Sequence, residues 1–129
     1  MIIDSSALIA ILRDEPAADR LRTALASRER KRISTGTLLE VSIVVDANGD
    51  PVLSGRLDDL LATARIEPVP VSANHVRIAR EAYRNFGIGS GHPAGLNFGD
   101  CFAYALARAE REPLLFVGDD FTHTDLSAA

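Results

Sequence analysis

Five acids stand out among the residues able to do chemistry: Asp4, Glu40, Asp100 and the adjacent pair Asp119 and Asp120. Asp4 closes the apolar run Met1-Ile2-Ile3 and is followed at once by Ser5, Ser6 and an apolar stretch from Ala7 to Leu12. A carboxylate set between two hydrophobic segments must be solvated, paired or metal-bound, because an isolated buried charge is prohibitively costly. Asp119 and Asp120 follow a second apolar run, Pro113-Leu114-Leu115-Phe116-Val117, across Gly118. Glu40 and Asp100 fall in the first turns of two predicted helices. Each acid also has a local reading. Thr37-Leu38-Leu39-Glu40 fits a capping box, Asp100 three residues after Asn97 suits a helix dipole, and Asp119 and Asp120 suit a turn.

What makes the set chemical is where an α/β chain would put it. In an open parallel sheet, strand ends and the first turns of the following helices share one edge, where ligands bind. The spacing therefore predicts that these acids converge, although they lie far apart in the chain. Clustered carboxylates repel, raise one another's proton affinity and call for a cation. An all-oxygen donor set without a cysteine or histidine constellation points to Mg2+, or Mn2+, rather than zinc. Asp4 and Asp100 are the expected metal ligands, directly or through water. Glu40 is expected to orient a water or act as base, and Asp119 or Asp120 to complete the site. Such an ion can activate water or stabilise the oxygens of a phosphodiester. With no serine–histidine–acid spacing and no phosphate-cradling glycine motif, metal-assisted phosphodiester hydrolysis is the reaction class. Two other readings stay open: a phosphatase with Asp4 as covalent nucleophile, although Ser6 stands where a second acid is usual, and a non-catalytic binding module whose acids are helix caps.

The elements that must position these residues alternate. A short strand through Ile2-Ile3 leads to a helix over residues 7–12, capped by Ser5 or Ser6 and apolar nearly all round, so it should be buried on more than one side. A narrow-striped helix from Ala17 to about Ser27 carries Leu21 and Leu25. Arg32-Ile33-Ser34 reads as a weak strand, followed by a helix from about Thr37 to Ala47 with Leu38, Val41, Ile43, Val44 and Val45 on its apolar side. After the break Asn48-Gly49-Asp50-Pro51, Leu53, Leu57, Leu60, Leu61 and Ala64 recur at helical spacing. Ile66 to Val71 is extended, and Pro68 and Pro70 make it an edge or irregular strand. Ser72 can cap a helix with Val76, Ala79, Tyr83 and Phe86 inward and Arg77, Arg80 and Arg84 outward. Residues 87–99 hold five of the nine glycines and form a long loop of the kind that is often functional. Asn97 caps the next helix, and Pro113–Val117 is the last strand. Strands alternating with helices define an α/β fold with a mostly parallel sheet of about four or five strands.

Bulk properties narrow the field further. The chain has 129 residues, 47% hydrophobic and 25% charged, which fits a single globular domain over 1–129 and excludes disorder. No apolar run approaches the roughly 20 residues that cross a bilayer, and no basic stretch or cleavage pattern marks a secretory signal. The lone cysteine, Cys101, excludes an internal disulfide and suits a reducing cytoplasmic setting. It reads as a buried helix residue, since nothing nearby would activate it. Net charge is −4, yet the positive charge is nearly all arginine. Arginine is suited to bidentate phosphate contact. Arg77, Arg80 and Arg84, and the cluster Arg28, Arg30, Lys31 and Arg32, are the candidate phosphate contacts. His75, His92 and His123 match no metal-ligand spacing.

Four stretches in this order resemble the PIN-domain proteins, specifically the VapC ribonuclease toxins of bacterial toxin–antitoxin pairs. They are Ile2-Ile3-Asp4-Ser5-Ser6-Ala7-Leu8, Ser34-Thr35-Gly36-Thr37-Leu38-Leu39-Glu40, Gly95-Leu96-Asn97-Phe98-Gly99-Asp100-Cys101-Phe102 and Pro113 to Phe121. The resemblance spans nearly the whole chain. It implies a three-layer α/β/α sandwich whose acidic pocket binds magnesium and cuts RNA, with Asp4, Glu40 and Asp100 as the first three acids and either Asp119 or Asp120 as the fourth. It places Ser6 beside the first acid, touching metal-bound water. It also implies a homodimer silenced by a cognate VapB-type antitoxin.

Overall fold

The computed structural model describes residues 1–129. Four strands form one wholly parallel sheet in the order β3-β2-β1-β4, with β1 at Ile2–Ile3, β2 at Lys31–Ser34, β3 at Ile66–Val69 and β4 at Leu114–Leu115. Six helices connect them: α1 (Ser5–Leu12), α2 (Ala18–Leu25), α3 (Thr35–Asp46), α4 (Pro51–Thr63), α5 (Ala73–Phe86) and α6 (Phe98–Glu110).

The strand alternation divides the core. Successive strand side chains point to opposite faces, so Ile3 and Leu115 join the cluster beneath α1 to α4, while Ile2 and Leu114 join the cluster beneath α5 and α6. Helices therefore cover both faces, which is the expected three-layer α/β/α sandwich. β1, only two residues long, holds the centre because both neighbours bind it: Asp4 N–H donates to Leu115 O at 3.0 Å and Arg32 N–H to Met1 O at 3.1 Å. The free edge of β4 is covered by the chain's tail, where Leu114 N–H donates to Ser127 O and Ala129 N–H to Leu114 O. β3, with Pro68, is the other edge, as its proline requires.

Several local expectations change. Asp4 itself, rather than Ser5 or Ser6, caps α1. α3 is capped by Ser34 and begins at Thr35, so Glu40 lies in its second turn and the capping box from Thr37 does not form. On α3 the buried positions are Thr37, Val41 and Val45, leaving Leu39, Ile43 and Val44 at 62%, 59% and 37% exposure. On α5 the inward face is His75, Ile78, Ala82 and Phe86, whereas Val76 and Tyr83 remain exposed. β4 stops at Leu115, so Asp119 and Asp120 lie in the turn beyond it.

Candidate active site

The segments leaving β1 and β4, one side of α3 and the start of α6 surround one cleft of about 450 Å3, lined by Asp4, Glu15, Glu40, Asp100 and Asp120 and by no lysine, arginine or histidine. The predicted convergence is therefore present for Asp4, Glu40, Asp100 and Asp120. Asp119 does not line the cleft; it is exposed, and its carbonyl accepts from Thr122 N–H and Oγ1. Of the two candidates for the fourth acid, Asp120 is the one that lines the cleft.

Asp4 is 2% exposed. Its Oδ2 accepts from Ser6 N–H at 3.0 Å and from Ser6 Oγ–H at 2.6 Å, the bonds expected of a helix cap. Its Oδ1 is buried with no hydrogen-bond partner. Burial pushes the Asp4 carboxyl above the usual carboxylate range; the two Ser6 bonds oppose this and the Glu40 charge adds to it. Ser6 has a second bond, for its Oγ accepts from Val117 N–H at 3.0 Å. The hydroxyl thus ties the β1–α1 junction to the segment leaving β4. It acts as a strut for Asp4, with its one proton spent on the carboxylate.

Asp100 stands at the third position of α6. Its Oδ2 accepts from Asn97 N–H at 3.0 Å while its own N–H donates to Asn97 Oδ1 at 2.9 Å, a complete capping box. The local reading of Asp100 is therefore correct and yet insufficient. Its carboxyl is raised to about 7, chiefly by burial, with the charges of Asp4 and Asp120 and a hydrogen bond with Asp120 adding to the rise against the Asn97 N–H. A buried carboxyl group raised by neighbouring acids in this way is one that a cation would relieve. Glu40 reaches the cleft from α3 because Ser5 Oγ donates to Glu40 Oε1 at 2.6 Å. That contact joins residues 35 apart and has no local signal in the chain. Glu15, at the end of the α1 segment, is a further acid on the cleft that its helix-ending neighbour Pro16 disguised.

The donor set fits a divalent cation. The cleft concentrates acids without a compensating base, and Asp4 Oδ1 is an orphaned acceptor buried beside them. No three Asp, Glu, His or Cys side chains form a group able to hold one ion among them. Asp4 and Asp100, both buried at the cleft, offer oxygen donors only, the kind that hard divalent cations take.

The other predicted residues lie elsewhere. Arg77, Arg80 and Arg84 are exposed on α5; Arg77 bonds Asn74, and Arg80 lines an apolar groove between α5 and α6. None lines the acidic cleft. The cluster from Arg28 to Arg32 sits at the start of β2, the opposite end of the sheet. There Lys31 Nζ donates to Ser27 O, Arg30 pairs with Glu67, and Arg32 with Glu110 and Glu112. Those three cations are engaged within the fold, while Arg28 is exposed. Cys101 is buried and its thiol is pushed up to about 11, which keeps it unreactive. His75 completes the cap of α5, and His92 packs edge-on against Phe86.

A parallel sandwich with acids gathered at its carboxyl edge is the architecture of the PIN domain, and that family's profile matches residues 1–126. The chain belongs to the PIN-domain family. Within it the chain stands with the VapC ribonucleases: it is 53% identical to Ribonuclease VapC28 of Mycobacterium tuberculosis over 129 residues, covering 100% of this chain and 97% of the relative. Solved structures agree on the fold. VapC20 of Mycobacterium tuberculosis, described as a sarcin–ricin loop cleaving toxin, superposes with a TM-score of 0.77 at 14% identity, covering 99% of this chain and 97% of that one. A toxin–antitoxin complex from Klebsiella pneumoniae gives 0.73 at 17% identity, covering 99% and 95%. No helix is long and apolar enough to cross a membrane.

Proposed function

We propose that the chain is a magnesium-dependent endoribonuclease toxin that cuts RNA in the cytoplasm, pairs as a homodimer and is silenced by a VapB-type antitoxin. The observation that carries the catalytic part is Asp4 Oδ1, a buried and unpartnered acceptor in a cleft of five acids and no base. Asp4 and Asp100 would hold the ion, Mg2+ or in its place Mn2+, and an ion held there would supply Lewis-acid stabilisation of the phosphodiester oxygens and a more acidic water.

The chain's own residues do the rest. Ser6 fixes one oxygen of Asp4, which turns the other into the cleft. Ser5 orients the Glu40 carboxylate, which accepts a hydrogen bond from the attacking water and draws on its proton. Asp120 shares charge with Asp100 and completes the site. Arg77, Arg80 and Arg84 are the exposed cations offered to RNA phosphates. Leu39 and Ile43 on α3, and Val76, Tyr83 and Phe98 around the α5–α6 groove, are exposed apolar side chains that support association with other chains.

The phosphatase reading is disfavoured because Ser6, where a second acid would stand, is bonded to Asp4 and Val117 rather than free for a leaving group. One experiment separates the readings. Purified protein is given RNA and, separately, a small phosphomonoester, each with magnesium and with EDTA. RNA cleavage that stops in EDTA and returns with Mg2+ or Mn2+ is expected. Phosphate release without RNA cleavage would establish the phosphatase, and neither activity the binding module.

A further inference from the structure

We infer that Gly99 is a positioning residue for Glu40: its missing side chain is the space in which the Glu40 carboxylate lies. This deepens the reading of Glu40 as a site residue and rests on it. A Cβ built at Gly99 would stand 1.5 Å from Glu40 Oε2, 2.5 Å from Cδ and 3.0 Å from Oε1. No carboxylate can share that volume with a methyl group. On its other side the same carboxylate accepts from Ser5 Oγ–H at 2.6 Å. Glu40 is thus held between a hydroxyl on α1 and the bare backbone of α6, one residue before Asp100.

Nothing else in the structure calls for glycine at this place. Gly99 lies in the first turn of α6 and is not among the positive-φ glycines, so its backbone is open to any residue. Glycine is among the poorest helix formers, and local propensity therefore favours alanine here. The reason for glycine is the space itself. The same helix crossing carries a second notch: a Cβ at Gly36 of α3 would meet the Phe102 ring at 2.3 Å. The two notches let α3 and α6 approach closely, but only the one at Gly99 receives a residue of the acidic cleft. The obstacle to a larger residue is the far end of a flexible side chain, so Gly99→Ala displaces Glu40 and leaves the fold intact.

The test is a double-mutant cycle of Gly99→Ala and Glu40→Ala, read by RNA cleavage and by thermal unfolding. Gly99→Ala alone is expected to lower kcat by on the order of 10²-fold, as a misplacement of about 1 Å can, with KM for RNA unchanged. Added to Glu40→Ala it is expected to cause no further loss. In unfolding, the alanine is expected to raise Tm more in the Glu40→Ala background than in the wild type, by about 2 °C or more, because only there does the methyl group meet no carboxylate. Wild-type kcat in Gly99→Ala, or an equal fall of kcat in both backgrounds, overturns the assignment by showing that Glu40 is not displaced or that the effect runs through Asp100. Equal Tm increments overturn it as well. Wild-type cleavage by Glu40→Ala would remove Glu40 from the reaction, while the Tm increments would still decide whether Gly99 seats it.

Discussion

Replacing Asp100 by Asn should make the metal-free protein more stable above neutral pH while removing its activity. The Asp100 carboxyl is raised from 3.8 to about 7 by burial first, then by the charges of Asp4 and Asp120. Between those two values the folded state binds more protons than the unfolded chain, so the stability this group contributes is full below about 4 and is lost as pH rises through 7. Above 7 the wild type carries a charge its site disfavours. A shift of this size corresponds to an upper bound of about 4 kcal/mol. Water entering the cleft mouth screens the acids, which brings the expected gain to about 1–2 kcal/mol, or roughly 4–8 °C in Tm for a chain of this size. Asparagine keeps the capping box, because its own oxygen can still accept from Asn97 N–H. The assay is urea or thermal unfolding of both proteins in EDTA from pH 8 to pH 4. The advantage of Asp100→Asn should be largest at pH 8 and shrink toward pH 4. Millimolar magnesium should then stabilise the wild type and not the variant, since a ligand stabilises only the state that binds it. A variant no more stable than the wild type at pH 8 in EDTA would refute the account of why Asp100 titrates high.

The remaining expectations concern the supports of the cleft and its surroundings. Ser6→Ala removes the hydroxyl that links Asp4 Oδ2 to Val117 N–H and leaves both without that partner; a loss of about 1–3 kcal/mol is expected in denaturant unfolding, together with a fall in cleavage rate. Asp120→Asn should lower cleavage at least tenfold and bring the Asp100 carboxyl down toward its ordinary value, followed by NMR titration, whereas Asp119→Asn should stay within about twofold of wild type. Replacing Arg77, Arg80 and Arg84 together with Ala should weaken RNA binding and flatten its salt dependence by about 0.7 in slope for each single-strand phosphate no longer neutralised; an unchanged slope would place RNA elsewhere.

The parts of this molecule that are legible in the chain are those set by neighbours in sequence. Ile2-Ile3-Asp4 announces a strand ending at an acid, and Asn97 with Asp100 announces a capped helix, because both depend on side chains within three residues. Parallel α/β topology then brings the acids together without any further information. The contacts that stay hidden join distant segments. Ser5 reads as a cap and is the partner of Glu40, while Ser6, read beside the first acid, also accepts from Val117 N–H 111 residues away. Glu40 reads as a capping-box residue because Thr37-Leu38-Leu39-Glu40 has the right spacing; Ser34 wins the cap, three residues earlier, because its hydroxyl accepts from Gly36 N–H as β2 ends. On α3 and α5 apolar periodicity locates the helices and misjudges their faces. Ile43, Val76 and Tyr83 are apolar and still face outward, since hydrophobicity identifies residues that can be buried and not those that are. Asp119 and Asp120 can be separated only by the path of the turn after β4.

The most direct measurement of the central claim is single-turnover RNA cleavage by Asp4→Asn beside the wild type, at saturating enzyme with millimolar magnesium, each protein first shown to be folded by its melting curve. Asparagine keeps the shape of Asp4 and one oxygen to accept from Ser6, and replaces the charged, unpartnered Oδ1 by a neutral NH2 group. The wild type is expected to cut RNA, EDTA to abolish the cut, and Asp4→Asn to be at least 10²-fold slower while melting at or above the wild-type temperature in EDTA. Wild-type cleavage by folded Asp4→Asn, or cleavage undiminished in EDTA, would contradict that claim.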